Sequence, residues 1–429
     1  MKDFSSLRAV SFLPIPQGNG SPERTLWYKV FLLAALALSL QSCLGIGDNN
    51  PFQSKNTGKN GPIGINSTDQ AKFTGKIYFT LGRNLYVLDG QLKLTQLTHG
   101  MDVRNPAVSP DGKWIAFANF SKDYSDLMVM PTSGGTPQTI LSGNGKYLPN
   151  PASPMNAPKS TFEWLAQPAW NADSDHLLFV SDLDKLTIGP CNVDDFLLDP
   201  LILSMSISNP TEQPQTLAYS TFGDGGLRDP SYRPGHSDQI IYTGYNYGPN
   251  ASQMIQILME DPNAIANHPY LYQPGSTNCE SDPGVPITQP SDMNLEPSFS
   301  PDGNTVLYVR RENATHMALY AMPVPEGITG DPTNPAFNPI SQTNLTKGLS
   351  MYSLSNKLLE GLYVSQPIWS PDGTHILYYS FANNSFDIWI ATITKNAKTG
   401  AFAIKPNSQV QLTNVQGQLD ADSRACWTS

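Results

Sequence analysis

Six polar residues occupy equivalent points of a recurring motif in this 429-residue chain. Asn105, Gln167, Asp229, Glu296 and Gln366 each precede a motif proline, and Arg424 holds the matching place in a C-terminal copy. Asp229 and Glu296 are neighbours in repeat order, and Arg424 falls roughly opposite them once the repeats close on themselves. Two adjacent carboxylates in a partly enclosed, low-dielectric funnel attract a cation, an amine or a basic peptide end, and an arginine facing them can hold a carboxylate. The plainer reading is that a solvated opening needs a polar lining whether or not it binds anything. Charge is surplus to that need, since amides at Asn105, Gln167 and Gln366 already supply a polar lining.

The elements that must place these residues are set by the motif itself. Asn105-Pro-Ala-Val-Ser-Pro-Asp-Gly112, Glu296-Pro-Ser-Phe-Ser-Pro-Asp-Gly303 and Gln366-Pro-Ile-Trp-Ser-Pro-Asp-Gly373 are close copies, and Gln167-Pro-Ala-Trp-Asn-Ala-Asp173 and Asp229-Pro-Ser-Tyr-Arg-Pro-Gly235 are degenerate ones. Each is followed by an apolar run such as Trp114-Ile-Ala-Phe117 or Ile376-Leu-Tyr-Tyr379. The pattern is strand, tight turn, strand: Pro presets φ, Asp bonds the backbone ahead of it, and Gly takes the positive φ that ends the turn. These Asp residues therefore read as turn formers rather than metal ligands.

Spacings of 62, 62, 67 and 70 residues between Pro106, Pro168, Pro230, Pro297 and Pro367 fit four-stranded sheets with insertions. Radial sheets of this kind make a propeller, with both faces of each blade buried. In the fifth unit the strands are expected around Ser298–Ser300, Thr305–Arg310, Met317–Met322 and Pro339–Asn344. In the sixth they are Ile368–Ser370, His375–Ser380, Phe386–Ile393 and Val410–Thr413. Near the start, Lys76–Thr80, Asn84–Asp89 and Leu94–Leu97 lack a first strand, and Arg424-Ala-Cys-Trp-Thr-Ser429 matches Gln366-Pro-Ile-Trp-Ser-Pro371. The C-terminus thus completes the N-terminal blade. The expected fold is all-β, a six-bladed β-propeller of four-stranded blades closed by the C-terminal strand, with the six polar residues at the mouth of its channel.

On these motifs the chain resembles the TolB-like six-bladed propellers with WD-like repeats, over about residues 76 to 429. The resemblance implies use of the channel mouth for a partner segment or ligand. TolB carries an additional α/β domain before its propeller, whereas only about thirty residues here separate the apolar segment from the first strand.

Residues 1–43 read as a signal peptide with a lipobox-like end. Val30 to Leu40 is an uncharged run of eleven, preceded by Arg24 and Lys29 and followed by Gln41-Ser-Cys43. Eleven is short for a membrane span and suits an export signal. Cys43 is the expected site of lipidation, which would hold the protein on a bacterial membrane, facing the periplasm or the exterior. Residues 44–75, rich in Gly, Asn, Ser and Lys, read as a flexible tether, and residues 76–429 as the propeller.

A net charge of -10 argues against a nucleic-acid partner, because phosphate binding needs a basic face. With Cys43 lipidated, Cys191, Cys279 and Cys426 remain; the register puts Cys191 and Cys279 in loops on opposite faces, which speaks against a bridge, and Cys426 on an inner strand. Catalytic patterns do not emerge. The six histidines show no i, i+4 pair, no Gly-x-Ser-x-Gly occurs, and His176 and His375 fall at matching starts of second strands. No cofactor and no metal are called for. Three functions stay open: a monomeric lipoprotein binding an envelope protein or glycan at the channel mouth, an envelope scaffold or assembly factor, and an enzyme like the propeller sugar lyases that hold a metal through channel histidines. Against the last, no histidine occupies the ring.

Overall fold

The computed structural model describes residues 52–58, 61–148, 159–182, 200–209, 211–218, 226–247, 253–260, 284–325 and 352–429. Cys43, Cys191 and Cys279 lie outside the described residues.

Six antiparallel sheets form the propeller: in blades 2 to 5 four strands follow outward in sequence order, blade 1 begins with the C-terminal strand, and blade 6 carries a fifth, short strand. Their first strands are Cys426–Thr428 in blade 1, Val103–Val108 in blade 2, Leu165–Trp170 in blade 3, Leu227–Arg233 in blade 4, Met293–Phe299 in blade 5 and Ser365–Trp369 in blade 6. Second strands carry the core. Ile115 to Ala118, Leu177 to Val180 and Ile376 to Tyr379 are buried at consecutive positions, because a blade's two faces both meet a neighbour and alternation along the strand is lost. Six apolar clusters result among the described residues, and each fills the space between two adjacent blades, the last joining blade 6 to blade 1.

The motif turns form as their residues dictate. In the three close copies the Ser hydroxyl donates to the Asp carboxylate two residues on, at 2.6 Å from Ser109, 2.5 Å from Ser300 and 2.6 Å from Ser370. Asp111, Asp302 and Asp372 also accept the backbone N–H two residues ahead, and Gly112, Gly303 and Gly373 take φ of 72°, 68° and 68°. The Ser109 hydroxyl, with Lys113, holds the Asp111 carboxyl down at about 2. In blade 3, Asn171 replaces the serine, accepting from the N–H groups of Asp175 and His176, and Ser174 takes the positive φ.

Closure follows the C-terminal match: Lys76, Ile77 and Tyr78 pair with Thr428, Trp427 and Cys426. Trp427 donates its indole N–H to the Thr74 carbonyl at 2.9 Å and meets Phe73 edge-on.

One strand assignment is corrected, and the expected pairing at Val410 is found with an added partner. The fourth strand of blade 5 is Asn356–Leu362, and Pro339–Asn344 lies outside the described residues. Asn356–Leu362 has no β-branched residue to announce it. In blade 6 the third strand, Ser385–Lys395, is long enough to pair with Phe402–Ile404 and then Val410–Gln411 along one edge.

The tether reading is corrected from residue 61 onward. Gly61–Asn66 is a strand that pairs with Phe52–Gly58 on one side and with Thr413–Asn414 on the other. Ile63, Ile65 and Ala71 are buried in the cluster between blades 6 and 1, beside Leu412, Val415 and Leu419. Two isoleucines at alternate positions suffice to dock an otherwise polar strand, each contributing about 2 kcal/mol or more by burial.

Candidate functional site

The first strands of blades 2 to 6 carry a register break at the same place, between Arg104 and Ala107, Ala166 and Ala169, Arg228 and Ser231, Leu295 and Ser298, and Ser365 and Ile368. The bulged residue before each proline has φ between 50° and 56°: Asn105, Gln167, Asp229, Glu296 and Gln366. A bulge takes its backbone N–H off the ladder, so that N–H needs an acceptor from elsewhere. For four of the five the preceding blade supplies it. Gln167 Oε1 accepts from Asp229 N at 2.7 Å, Thr243 Oγ1 from Glu296 N at 3.1 Å, Glu296 Oε2 from Gln366 N at 2.5 Å, and Ser423 Oγ from Asn105 N at 2.8 Å. Polarity of the ring thus has a structural cause, which the sequence alone does not disclose.

The structure brings all six expected residues together. Gln167 Nε2 donates to Asp229 Oδ1 at 2.9 Å, and Thr243 Oγ1 to Asp229 Oδ2 at 3.0 Å. Gln366 Nε2 donates to Glu296 Oε1 at 3.1 Å. Asn105 Nδ2 reaches the Asp422 carbonyl at 3.5 Å. Arg424 is not poised to face the acids from the far wall; it extends across the channel. Its Nε donates to Gln366 Oε1 at 3.2 Å, its Nη1 to the Pro297 carbonyl at 3.1 Å, and its Nη2 lies 3.6 Å from Asp229 Oδ1. That Nη2 is buried with no hydrogen-bond partner. The length of the arginine side chain explains the difference, since its stem spans a gap that strand alignment alone treats as empty.

Burial, followed by the nearby Asp229 carboxylate, raises the Glu296 carboxyl to about 7, against the opposing pull of Gln366 N–H and Arg424. A carboxyl whose pKa is higher in the folded chain than its ordinary 4.5 loses stability on ionisation. The contribution of Glu296 is therefore most favourable below about pH 4.5, declines as the pH rises, and reaches its full penalty above about pH 7. Glu296→Gln keeps an acceptor for Gln366 N–H. In urea titrations at pH 5 and pH 8, the parent is expected to lose roughly 2 kcal/mol more than this variant between the two. Equal losses would show that Glu296 ionises normally.

The ring divides two cavities. Along the first strands towards the Ser-Pro turns runs a channel cavity of about 390 Å³, lined by Trp170, Phe299, Ile368, Trp369, Cys426 and others, and largely apolar. Cys426 is half-buried there, with Sγ accepting Val108 N–H at 3.4 Å, and burial raises its thiol pKa. On the other side, a cleft of about 430 Å³ lies between blades 2 and 3. Asn105 and Gln167 border both. The sequence reading missed Thr243, Ser423 and Asp422; Ser423 and Asp422 were findable as neighbours of Arg424, while Thr243 carries no motif. His176 and His375 do open second strands, and no group of three or more His, Cys, Asp and Glu residues among the described residues is placed to hold a metal.

These features define a six-bladed β-propeller whose channel is crossed by an arginine and ringed by acids and amides. No protein-family model and no curated protein matches the chain. Among solved structures, TolB from Acinetobacter baumannii is similar at a TM-score of 0.50 and 18% identity, over 82% of this chain and 66% of that one. A putative TolB from Agrobacterium tumefaciens gives a TM-score of 0.45 at 12% identity, over 82% and 92%. An oligogalacturonate lyase in complex with manganese gives 0.40 at 13% identity, over 82% of each chain. The fold is that of the TolB-like propellers, and this chain spans about two thirds of the Acinetobacter protein.

Proposed function

We propose that the protein is an exported, lipid-anchored binding module that captures a segment of an envelope protein at its channel mouth. The observation that carries this reading is the buried Arg424 Nη2, drawn across the mouth, ion-paired with Asp229 at 3.6 Å and making no hydrogen bond. A carboxylate or main-chain carbonyl of an inserted segment would satisfy it, and the apolar cavity beneath would take an adjoining side chain. Asn105, Gln167, Asp229, Glu296 and Gln366 are the further contacts. Cys43, directly after the apolar run, is the proposed lipid site, with the propeller facing the periplasm or the exterior. No helix among the described residues is long and apolar enough to cross a membrane.

The test uses full-length protein isolated from membranes in detergent. Intact mass is expected to show a mature N-terminus at lipidated Cys43. The same preparation should retain an envelope protein that Arg424→Gln loses at least tenfold and that Asp229→Asn weakens, with both variants folded by circular dichroism. Undiminished capture by both variants would leave the ring a purely structural network.

A further inference from the structure

The cleft between blades 2 and 3 touches the ring only at Asn105 and Gln167, and its remaining lining has a chemistry of its own. Trp164, just before the first strand of blade 3, is 38% exposed, a rare state for so large an apolar side chain in the described fold. It stacks on Phe120 with centroids 5.6 Å apart and planes 29° from parallel. Arg104 lies over the same Phe120, 5.6 Å from its centroid. The platform is held firmly: the Trp164 backbone N–H donates to the buried Asp182 carboxylate at 2.7 Å, and Arg104 is fixed by Asp102 at 2.7 Å and by Asp422. Across the cleft, Arg228 binds the Leu227 carbonyl at 3.0 Å and lies 5.8 Å from the Tyr245 ring centroid. It forms no ion pair among the described residues. The cleft therefore joins an accessible aromatic surface, one cation without a carboxylate, and the exposed Asp422 carboxylate.

We propose that this cleft binds a pyranose saccharide, with Arg228 favouring sugars that carry a carboxylate. The axial C–H face of a pyranose is apolar and weakly positive, and so complements the negative face of an indole. Its rim hydroxyls both donate and accept, which a guanidinium and a carboxylate answer together within one site. A uronate or lactyl carboxylate would supply the counter-charge that Arg228 lacks. An aromatic peptide side chain would use the platform and leave Arg228 without a counter-charge. A nucleotide phosphate would face a protein of net charge -10. A volume of 430 Å³ falls in the usual range of small-molecule sites, about 300 to 1,000 Å³.

The experiment is a glycan array bearing neutral, uronate-containing and muramate-containing oligosaccharides, probed with chain 44–429, followed by titration of the retained glycans against intrinsic tryptophan fluorescence. Acidic oligosaccharides are expected to bind best. Trp164→Ala should weaken them roughly tenfold, with Trp164→Tyr restoring most of the affinity. Arg228→Gln should weaken the acidic ones and leave carboxyl-reduced analogues unchanged. Glu296→Gln, which alters a ring contact bonded to no residue of the cleft, should leave glycan affinity intact, so that failure here and failure of the channel-mouth reading are distinguishable. Absence of any retained glycan, or equal binding by the parent and a folded Trp164→Ala, overturns the proposal.

Discussion

Deleting residues 423–429 is expected to lower the melting temperature by about 10 °C or more and to produce aggregation. The loss strips Lys76–Tyr78 of their pairing partners, leaving the second strand of blade 1 as a bare inner edge. It also removes Trp427 and Ala425 from the cluster between blades 6 and 1. Truncating a buried Trp alone costs about 3–5 kcal/mol. Further losses follow at the ring: Asn105 N–H loses the Ser423 hydroxyl, and the buried Tyr379 hydroxyl loses the Ser423 carbonyl at 2.9 Å. Calorimetry and size-exclusion chromatography decide the matter. A truncated chain that melts with the parent and remains monomeric would mean that the ring closes some other way.

A chain that starts at Lys72 is expected to be less stable than one that starts at residue 44, by roughly 4 kcal/mol, although composition alone would call the missing segment dispensable. The shorter chain lacks Ile63, Ile65 and Ala71, and uncovers Leu412 and Val415. It also loses the bonds from Asn66 N to the Leu412 carbonyl and from Asn66 Nδ2 to the Gln411 carbonyl. Point variants localise the effect: Ile65→Ala should cost about 2–4 kcal/mol in urea unfolding, and Ile65→Val under about 1.5 kcal/mol. Equal stability of the two chains would show that this strand rests on the propeller without supporting it.

The blades were legible because their signal is repeated and local. A Ser-Pro-Asp-Gly turn between two apolar runs has few alternatives, and five copies fix the period. The closing strand was legible by the same motif, despite Ala425 standing where the others have proline. The strand at Gly61–Asn66 was hidden because its signal is two isoleucines within a stretch of Gly, Asn and Ser, and its partner at Thr413–Asn414 is distant in sequence. At the site, sequence placed the six residues on one ring but said nothing of what they bond. Asn105 and Glu296 could not be known as parts of a network that caps bulged N–H groups, since the bulge is a property of two strands at once. Arg424 shows the complementary limit: strand position gives where a side chain begins, and the torsions of a long stem decide where it ends.

The first and last strands of the described propeller meet in one place. Asn66 binds Gln411 across 345 positions and Trp427 binds Thr74 across 353, so the junction of blades 6 and 1 has the greatest sequence separation in the molecule that these contacts allow. Contacts of this span form slowly, because almost the whole chain must be gathered before they return any energy. Blades 2 to 5 can each assemble from consecutive residues as they emerge, whereas the first blade waits for the last seven residues to be synthesised. Until then the nascent protein is an open arc with two unsatisfied flanks, the form most exposed to proteolysis and to pairing with its own kind. Maturation time, more than final stability, is therefore the property that changes at this junction should alter first.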